Sequence, residues 1–430
     1  MSRNVLCIAY HFPPFAGSSG VQRSLRFTQY LPENGWEPVV LTVWSKVYEG
    51  TSSELLQDIP KGISIYRAPV LDTKRHLGIS GRYPSVLALP DRWVSWVISG
   101  VVMGLSAIFR KRPKVIWSTY PIASAHVIAY ILHRLTGLPW VADFRDPMVE
   151  YIKEDARWAP QDNKLRKARL WVERLAVRNA SALVFCTETA LEICRQRNSA
   201  KDDQRYQVIP NGFDEHTFQS SERYLGELHK EISDPLVIIH SGVLYGGTDR
   251  DPVPLLHAIR NLRVSGKLET TGIRVVFRGS GAESNYLQLL TDLDLKDIVE
   301  FKPACGYQES ITEMILSEGL LVLQGYTSNP AIPAKVYEYL RAGRPILALV
   351  DDKGETASLL RNSDACILAQ PNSIEDIECG FMKFIELVRA RQGKRIVGNS
   401  VAQYSRQALT ARLGDMLSDI SEGTFTAAVS

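Results

Sequence analysis

The chain has 430 residues, and its 45% hydrophobic and 23% charged residues are typical of a globular protein, not of a disordered or low-complexity one. Its 50 lysines and arginines nearly balance 47 aspartates and glutamates, which argues against a dedicated nucleic-acid binder, because such proteins carry a clearly basic face. The six cysteines include no CxxC pair, so we expect neither a zinc ribbon nor a disulfide scaffold. Free thiols in the cytoplasm are the simplest interpretation.

The first half of the sequence alternates short apolar runs with segments of helical periodicity. Residues 5–10 predict a strand, and the prolines that follow end this run too early for a secretory signal peptide. A helix is predicted at 22–31 and another at 124–135. Such alternation indicates βαβ units and a parallel sheet. Further strands are predicted at 38–43, 63–70, 114–118, 139–143 and 182–186.

Residues 93–109 form a stretch without a charged side chain, followed by the basic run RKRPK. Three interpretations are open. The segment is a buried helix of an α/β domain, an interfacial helix whose basic edge meets anionic lipid, or a membrane span. The stretch is shorter than the roughly 20 residues that a spanning helix needs, and it contains two glycines and three serines, so the buried helix is favoured.

The second half repeats the alternation of strands and helices, with helices predicted at 253–260 and 283–292. A Pro-Asn-Gly turn and the charged stretch 220–234 indicate a domain boundary between the two halves. We expect an N-terminal domain at 1–218, a second domain at 219–398, and a C-terminal helix at 399–430 that can pack back on the first. Strands are predicted at 236–240, 273–277, 298–301, 319–324 and 345–350.

The segment that follows residue 328 carries the most chemical information. Pro333 suits the first turn of a helix, and Gly343 is expected to end it. Lys335 would then add a full charge to the positive end of the helix dipole, where an anion binds. Glu338 lies one turn further on the same face, where a carboxylate can accept hydrogen bonds from ribose hydroxyls. The alternative is an ordinary Lys–Glu surface pair.

Two further loops follow predicted strands of the second half. Gly242 begins a glycine-rich loop that ends at Arg250, and Arg278 with Gly279 begins another. Glycine lets the backbone approach a ligand closely, and arginine can bind phosphate in a bidentate manner. Cations at three strand ends, Arg250, Arg278 and Lys335, together predict a diphosphate site.

Polar residues also follow strands in the first half. Gly17, Ser18 and Ser19 lie in a strand-to-helix loop, in which the serines supply hydrogen-bond donors.

Another polar cluster of the first half consists of Asp143, Arg145 and Asp146, at the end of the strand predicted at 139–143. It is either a polar substrate site or an internal ion network. His126 is either a base, a capping histidine or a core histidine.

Motifs of several other enzyme classes are missing. The sequence contains no HExxH, GxSxG or GxxxxGK[ST], which argues against zincins, lipase-type hydrolases and P-loop NTPases. Acidic pairs at 249–251 and 292–294 match the short pattern of metal-dependent sugar transferases, but the second falls in or after a helix. We therefore expect no metal and no cofactor.

These motifs resemble those of the GT-B glycosyltransferases, in particular the retaining family 4 group of bacterial cell-surface polysaccharide synthesis. In the first half the resemblance lies in YHFPP at 10–14 with the glycine-rich loop after it, DFRDP at 143–147 and IPNGFD at 209–214. In the second half it lies in Gly242 with Arg250. It also lies in PAKVYEY at 333–339, which matches the end of the family's E-x7-E signature, although Pro330 replaces the first glutamate.

The resemblance implies a fold of two Rossmann-like, doubly wound parallel-sheet domains facing a central cleft. It implies transfer of a sugar from a UDP- or GDP-linked donor, with retention, to a saccharide or lipid-linked acceptor. The protein would be cytoplasmic, and the inner surface of the cell membrane is a further partner that the sequence leaves open. Nucleic acid is not expected as a partner. A nucleotide-sugar epimerase and a non-catalytic binder stay as alternatives. The implied catalytic residues are Arg250, Lys335 and His126; the donor residues are Gly17, Gly242, Arg278, Gly279, Pro303, Ala304, Pro333 and Glu338; the acceptor residues are Ser18, Ser19, Asp143, Arg145 and Asp146.

Overall fold

The computed structural model describes residues 3–16, 20–76, 78, 83–149, 162–198, 206–226, 235–247, 249–269, 272–391 and 393–423. The chain divides into two compact units. Unit 1 comprises Met1–Asn211 and Arg406–Ser430, and unit 2 comprises Gly212–Ser405. Each unit contains one parallel sheet with helices packed against it, as the sequence predicts for an α/β fold.

Unit 1 contains a seven-stranded parallel sheet with the strand order β3-β2-β1-β4-β5-β6-β7. Apolar runs identify six of these strands in the sequence, but β7 has only three residues and gives no such signal. The strands are β1 (Arg3–Ile8), β2 (Trp36–Val43), β3 (Ser64–Ala68), β4 (Val115–Thr119), β5 (Trp140–Arg145), β6 (Ala182–Phe185) and β7 (Tyr206–Val208).

Helices cover both faces of this sheet. One face packs against α4, α5 and α6 through a core that contains Trp96, Leu132 and Val172. Phe27 of α1 belongs to the separate core on the opposite face. The helices of this unit up to residue 198 are α1 (Gly20–Tyr30), α2 (Glu54–Gln57), α3 (Thr73–His76), α4 (Trp96–Lys111), α5 (Ser124–Thr136), α6 (Asn163–Asn179) and α7 (Glu188–Asn198).

Helix α4 occupies the uncharged segment for which the sequence left three interpretations open. It packs on α5 through its glycines: a Cβ added at Gly100 would lie 2.6 Å from Ile128 Cδ1, and one at Gly104 would lie 2.5 Å from Leu132 Cδ1. The favoured prediction, a buried helix, holds for this side only, because the other side is exposed to solvent. Within the described residues no helix is long and apolar enough to cross a membrane.

Unit 2 contains a six-stranded parallel sheet with the order β10-β9-β8-β11-β12-β13. The central strands β8 and β11 are nearly continuous apolar runs, as expected of parallel strands covered on both faces. The strands are β8 (Leu236–Ser241), β9 (Ile273–Arg278), β10 (Val299–Lys302), β11 (Gly319–Leu323), β12 (Ile346–Leu349) and β13 (Cys366–Ala369). The helices are α8 (Glu215–Leu225), α9 (Val253–Val264), α10 (Leu287–Asp292), α11 (Tyr307–Leu316), α12 (Ala334–Ala342), α13 (Glu355–Leu360) and α14 (Ile374–Ala390).

The boundaries of the units differ from those expected from the sequence. The expected boundary after residue 218 falls inside α8, which belongs to unit 2 because Phe218 packs in a core of that unit with Ile239 and Ile311. The last helix, α15 (Arg406–Glu422), belongs to unit 1. There the Trp36 Nε1–H group donates a hydrogen bond of 3.1 Å to the Gly414 carbonyl oxygen, and the sheet face that α1 covers also packs against α15.

The close approach of α4 to α5 gives a testable consequence for stability. Gly104→Val should lower the free energy of unfolding by about 1–3 kcal/mol, because the added methyl groups meet Leu132 in a packed core. Leu132→Ala alone should cost about 2–5 kcal/mol. The double variant should be more stable than the sum of the two effects predicts, since each change relieves the other. Urea unfolding of the four proteins measures the coupling, and simple additivity would contradict this packing.

Candidate functional site

Three loops of unit 2 that the sequence singled out lie at one edge of its sheet. Strand β8 pairs with β9 on one side and with β11 on the other, all in parallel. The segments that follow these strands therefore start from the same edge, where ligands bind in doubly wound folds. Gly242 and Arg250 follow β8, Arg278 is the last residue of β9, and α12 with Lys335 follows β11.

Lys335 lies against the backbone of the loop after β8. A Cβ added at Gly242 would collide with the Lys335 Nζ atom, and Gly242 has a φ of 131°, which side chains rarely adopt. Glycine is thus required at this position both by its backbone conformation and by the ammonium group beside it. The sequence showed only a glycine after a strand, and these two constraints explain why glycine occupies that position.

The ammonium group of Lys335 is buried, and its Nζ atom has no hydrogen-bond partner among the described residues. Burial and, to a smaller extent, the nearby Arg250 lower the pKa of this lysine to about 7, whereas Glu338 acts in the opposite direction. A buried cation without a partner is costly, because burial removes its hydration and no hydrogen bond replaces it.

Arg250 is held in place by the loop that carries it. Its backbone is left-handed, with a φ of 50°, and its guanidinium lies 4.8 Å from the ring centroid of Tyr245. The preceding carboxylate, Asp249, accepts hydrogen bonds from the Gly325 amide at 2.9 Å and from the Ser328 hydroxyl at 3.0 Å. These bonds fasten the β8 loop to the segment after β11, so that Arg250 and α12 approach each other.

Asp249 and Asp251, one of the acidic pairs noted in the sequence, shape the backbone. Asp251 accepts hydrogen bonds from the amides of Gly247 at 2.9 Å and Val253 at 3.0 Å. In the described part of the chain, no group of three acidic, cysteine or histidine side chains could hold a metal ion.

Glu338 lies on α12 beside the buried lysine. Its Oε1 atom accepts a hydrogen bond of 2.9 Å from the Tyr307 hydroxyl, which orients the carboxylate. The helix itself is fixed to β8 by Tyr339, whose hydroxyl accepts a hydrogen bond of 2.9 Å from the Ser241 amide. Pro333 precedes the helix, which begins at Ala334, instead of occupying its first turn. The sequence does not identify Tyr307 and Tyr339 as site residues, because both lie in helices and neither carries a charge that would mark a binding site.

Arg278 differs from the other two cations because its charge is already paired. Its guanidinium binds Glu313 through two hydrogen bonds, one of them 2.8 Å from Nε to Oε2, and donates another of 2.9 Å to the Pro303 carbonyl. Glu313 accordingly raises the pKa of Arg278. A Cβ at Gly279 would lie 3.3 Å from Ala304, so this turn packs against the next loop. We expected Arg278 to offer a free guanidinium to a phosphate, but its guanidinium instead fixes the neighbouring loop.

In unit 1 the predicted polar cluster contains a buried ion pair. Asp143 accepts two hydrogen bonds from Arg23, at 2.8 and 2.9 Å, and a third of 3.0 Å from the Thr119 hydroxyl. Arg23 also donates to the Pro210 carbonyl at 3.0 Å. Because both side chains are fully buried, Asp143 holds the loops together and does not face a substrate. The internal network, not the substrate site, is the correct interpretation for this residue.

Arg145 adopts a left-handed conformation at the end of β5, with a φ of 63°, and is buried. It lies close enough to His11 to help burial lower the pKa of that histidine to about 3. The ring of His11 stacks on Phe15 with a centroid distance of 4.5 Å. Burial raises the pKa of the neighbouring Asp146. The sequence did not single out His11 as a member of this cluster.

His126 belongs to the core. It is fully buried on α5, its Nδ1 atom lies 2.8 Å from the Ser118 hydroxyl oxygen, and its ring centroid is 5.0 Å from that of Phe144. Burial lowers its pKa to about 4, so it is neutral at physiological pH. The expectation that it acts as a catalytic group is corrected to the alternative, a core histidine. The predicted residues Gly17, Ser18 and Ser19 lie outside the described residues.

Comparisons with known proteins agree with this architecture. Residues 19–212 match the family described as a glycosyl transferase 4-like domain. No curated protein matches the sequence of this chain.

The fold is that of GT-B proteins, with two Rossmann-like domains, and solved structures share it over almost the whole chain. Sucrose-phosphate synthase from Thermosynechococcus elongatus is 14% identical over 98% of this chain and 100% of its own, with a TM-score of 0.66. Anabaena HepE, solved with UDP and glucose, is 14% identical over 97% and 99%, with a TM-score of 0.65. A candidate UDP-N-acetylglucosamine 2-epimerase from Listeria monocytogenes is 11% identical over 99% and 98%, with a TM-score of 0.60.

The buried lysine predicts a particular pH dependence of stability. Unfolded Lys335 keeps its proton up to its ordinary pKa of 10.5, whereas the folded protein releases it near 7. The cost of burying the charge is therefore full below pH 7 and disappears as the pH rises towards 10.5. Lys335→Met should raise the free energy of unfolding most below pH 7 and least near pH 10.5. Denaturant unfolding at both pH values measures this difference.

The control for this experiment is Lys267→Met, which removes an exposed lysine from the turn after α9 in the same unit. It should change stability equally at the two pH values. A gain for Lys335→Met that does not depend on pH would contradict a buried, titrating ammonium group.

Proposed function

We propose that this protein is a glycosyltransferase that transfers a sugar from a nucleoside diphosphate sugar to a hydroxyl group of an acceptor. The observation that carries the proposal is the buried, unpaired ammonium of Lys335 beside Arg250 at the start of α12. A diphosphate supplies the negative charge that this arrangement lacks, and the free amides of a helix start add to its binding. The match of residues 19–212 to a glycosyl transferase 4-like domain supports the same reaction.

The proposed chemistry needs no nucleophile from the protein. The bond between the anomeric carbon and the diphosphate oxygen breaks, and the acceptor oxygen forms the new bond on the same face, which retains the configuration. The departing diphosphate takes the proton of the acceptor hydroxyl. Lys335 and Arg250 stabilise the charge that develops on the leaving group, a role that does not require a metal ion.

We assign Glu338 to the ribose of the donor. It lies on the same helix as Lys335, about one turn further along, and Tyr307 fixes the orientation of its carboxylate. A ribose diol can donate hydrogen bonds to such a carboxylate. HepE is solved with UDP, and we propose a uridine or guanosine diphosphate donor for this chain as well.

We assign acceptor binding to unit 1. Asp146, which is half-buried just after β5, remains for it together with the predicted Ser18 and Ser19, since Asp143 is paired internally and Arg145 is buried. The resemblance of the loop segments to enzymes of cell-surface polysaccharide synthesis supports a hexosyl transfer to a saccharide or lipid-linked acceptor.

All six cysteines are free, as expected of a protein that acts in the reducing cytoplasm.

A nucleotide-sugar epimerase is the second candidate. The fold does not separate the two activities, because the candidate epimerase from Listeria monocytogenes shares it. Incubating UDP- and GDP-linked sugars without any acceptor distinguishes them: an epimerase changes the configuration of the free donor, whereas a transferase leaves it intact. A proton NMR spectrum of the donor reports this directly, and the anomeric coupling of a transfer product tests retention.

Removing either Arg250 or Lys335 should abolish most of the turnover. We expect Arg250→Ala and Lys335→Ala each to lower kcat with a nucleotide-sugar donor about 10²–10³-fold, by analogy with the loss of one donor to a developing oxyanion. Arg274→Ala, which removes an exposed arginine from the neighbouring strand β9, is the matched control and should leave kcat unchanged. Near-normal turnover of both site variants would overturn the assignment.

Changes at the proposed ribose site should act on donor binding. We expect Glu338→Ala to raise KM for the donor about tenfold or more, because it removes hydrogen bonds to a charged group. Tyr307→Phe should raise KM by a smaller factor and leave kcat unchanged, since it only orients the carboxylate. Steady-state kinetics with varied donor give both constants. An unchanged KM in Glu338→Ala would show that the pentose binds elsewhere.

A further inference from the structure

Helix α4 exposes a row of large apolar side chains. Ile98, Val102, Leu105 and Phe109 are 77%, 64%, 36% and 85% exposed. Their spacing of four, three and four residues places them on one face of the helix. Surface helices normally turn such residues inwards and polar ones outwards, so this row needs an explanation of its own.

The inner face of α4 is already used. Trp96, Gly100, Gly104 and Ala107 are the buried residues of the helix, and its glycines pack directly on α5. The exposed row is thus separate from the face by which α4 packs on its own unit. Within the described residues, nothing covers it.

Basic residues flank this row on one side. Arg110, Lys111, Arg112 and Lys114 are all exposed at the carboxyl end of α4. Residues 93–114 contain no acidic side chain at all. The preceding acid, Asp91, is buried and accepts a hydrogen bond of 2.7 Å from the Ser124 amide. The surface of α4 therefore combines apolar groups with positive charge only.

A second helix on the same side of the sheet has a matching face. Helix α6 packs on α5, which in turn packs on α4. Its only acidic residue, Glu173, is buried and bound to Arg197, so it does not offset the cations. The exposed residues Lys164, Lys167, Trp171, Arg174 and Arg178 recur every three or four positions along one face of α6.

We propose that the exposed faces of α4 and α6 are a docking surface for an anionic lipid bilayer. Helix α4 lies in the plane of the interface with its apolar row among the acyl chains, and the cations of both helices bind the lipid phosphates. An anionic bilayer offers an apolar layer beneath a negative one, which complements this surface in both respects. The 16 residues of α4 are too few for it to cross the membrane instead.

Flotation of the full-length chain with vesicles tests the proposal independently of any enzymatic activity. We expect the chain to float with vesicles of phosphatidylethanolamine and phosphatidylglycerol but not with phosphatidylcholine alone. Binding should weaken as salt is added, because the cations are exposed to solvent. A chain that stays at the bottom of the gradient with the anionic vesicles would overturn the proposal.

The structure offers a matched pair of variants. Val102 on α4 and Val264 at the end of α9 in unit 2 are both 64% exposed. Val102→Glu should lower the partition coefficient about tenfold or more, because one fully buried aliphatic side chain is worth at least that factor. Val264→Glu introduces the same charge elsewhere and should float like the wild type. Equal flotation of the two variants would exclude α4 as the inserting helix.

A charge-reversal pair completes the test. Lys167→Glu with Arg174→Glu on α6 should reduce flotation with the anionic vesicles, whereas Lys267→Glu with Lys383→Glu in unit 2 should not. If the chain does not float but sediments as a dimer that Val102→Glu dissociates, the face binds a second copy and the proposal is wrong.

Discussion

The cost of burying an ammonium group without a partner constrains the whole candidate site. Lys335 enters the space above Gly242 only because that residue has no side chain. The positive charge of the nearby Arg250 repels the ammonium group and so disfavours its protonated form. Such a group lowers the stability of the fold, and its position must be maintained by other interactions. The bonds from Asp249 to the segment after β11, and from the Ser241 amide to Tyr339, hold the loop and the helix together around it.

The two units differ in how a buried cation is compensated: Arg23 of unit 1 is paired with a carboxylate, whereas Lys335 of unit 2 has no partner among the described residues. In unit 1, Arg23 and Asp143 neutralise each other completely and bind neighbouring loops, so the pair contributes order and offers little to a ligand. In unit 2 the lysine keeps its charge unsatisfied, while Arg278, at the next strand end, is paired with Glu313. A cation that is paired with a carboxylate fixes the position of the chain, whereas an unpaired one can bind an anion. We base the proposed binding edge on this distinction and not on the number of basic residues.

The sequence predicted most of the strands, because short apolar runs between helices leave few alternatives in a parallel sheet. It also predicted which side chains lie near the edge of unit 2, since they belong to strand ends or to the segments that connect strands to helices. It could not predict their partners. Arg278 meets Glu313 at a separation of 35 residues, and Asp143 meets Arg23 at 120. Charge pairing over such distances depends on how the helices pack, which no local pattern encodes.

Helix α4 illustrates the same limit from the apolar side. Its sequence is apolar on both faces, so periodicity alone could not say which face is buried. The glycines decide it: a helix approaches another closely where side chains are smallest, and Gly100 with Gly104 lie over Ile128 and Leu132. Once the small residues take the inner side, the other face of the helix points outwards. Tight packing therefore explains which face of α4 is exposed, but not why that face is apolar. A polar residue in place of the exposed Phe109 would leave the core untouched, so the apolar row beside the run of cations is not required by the packing.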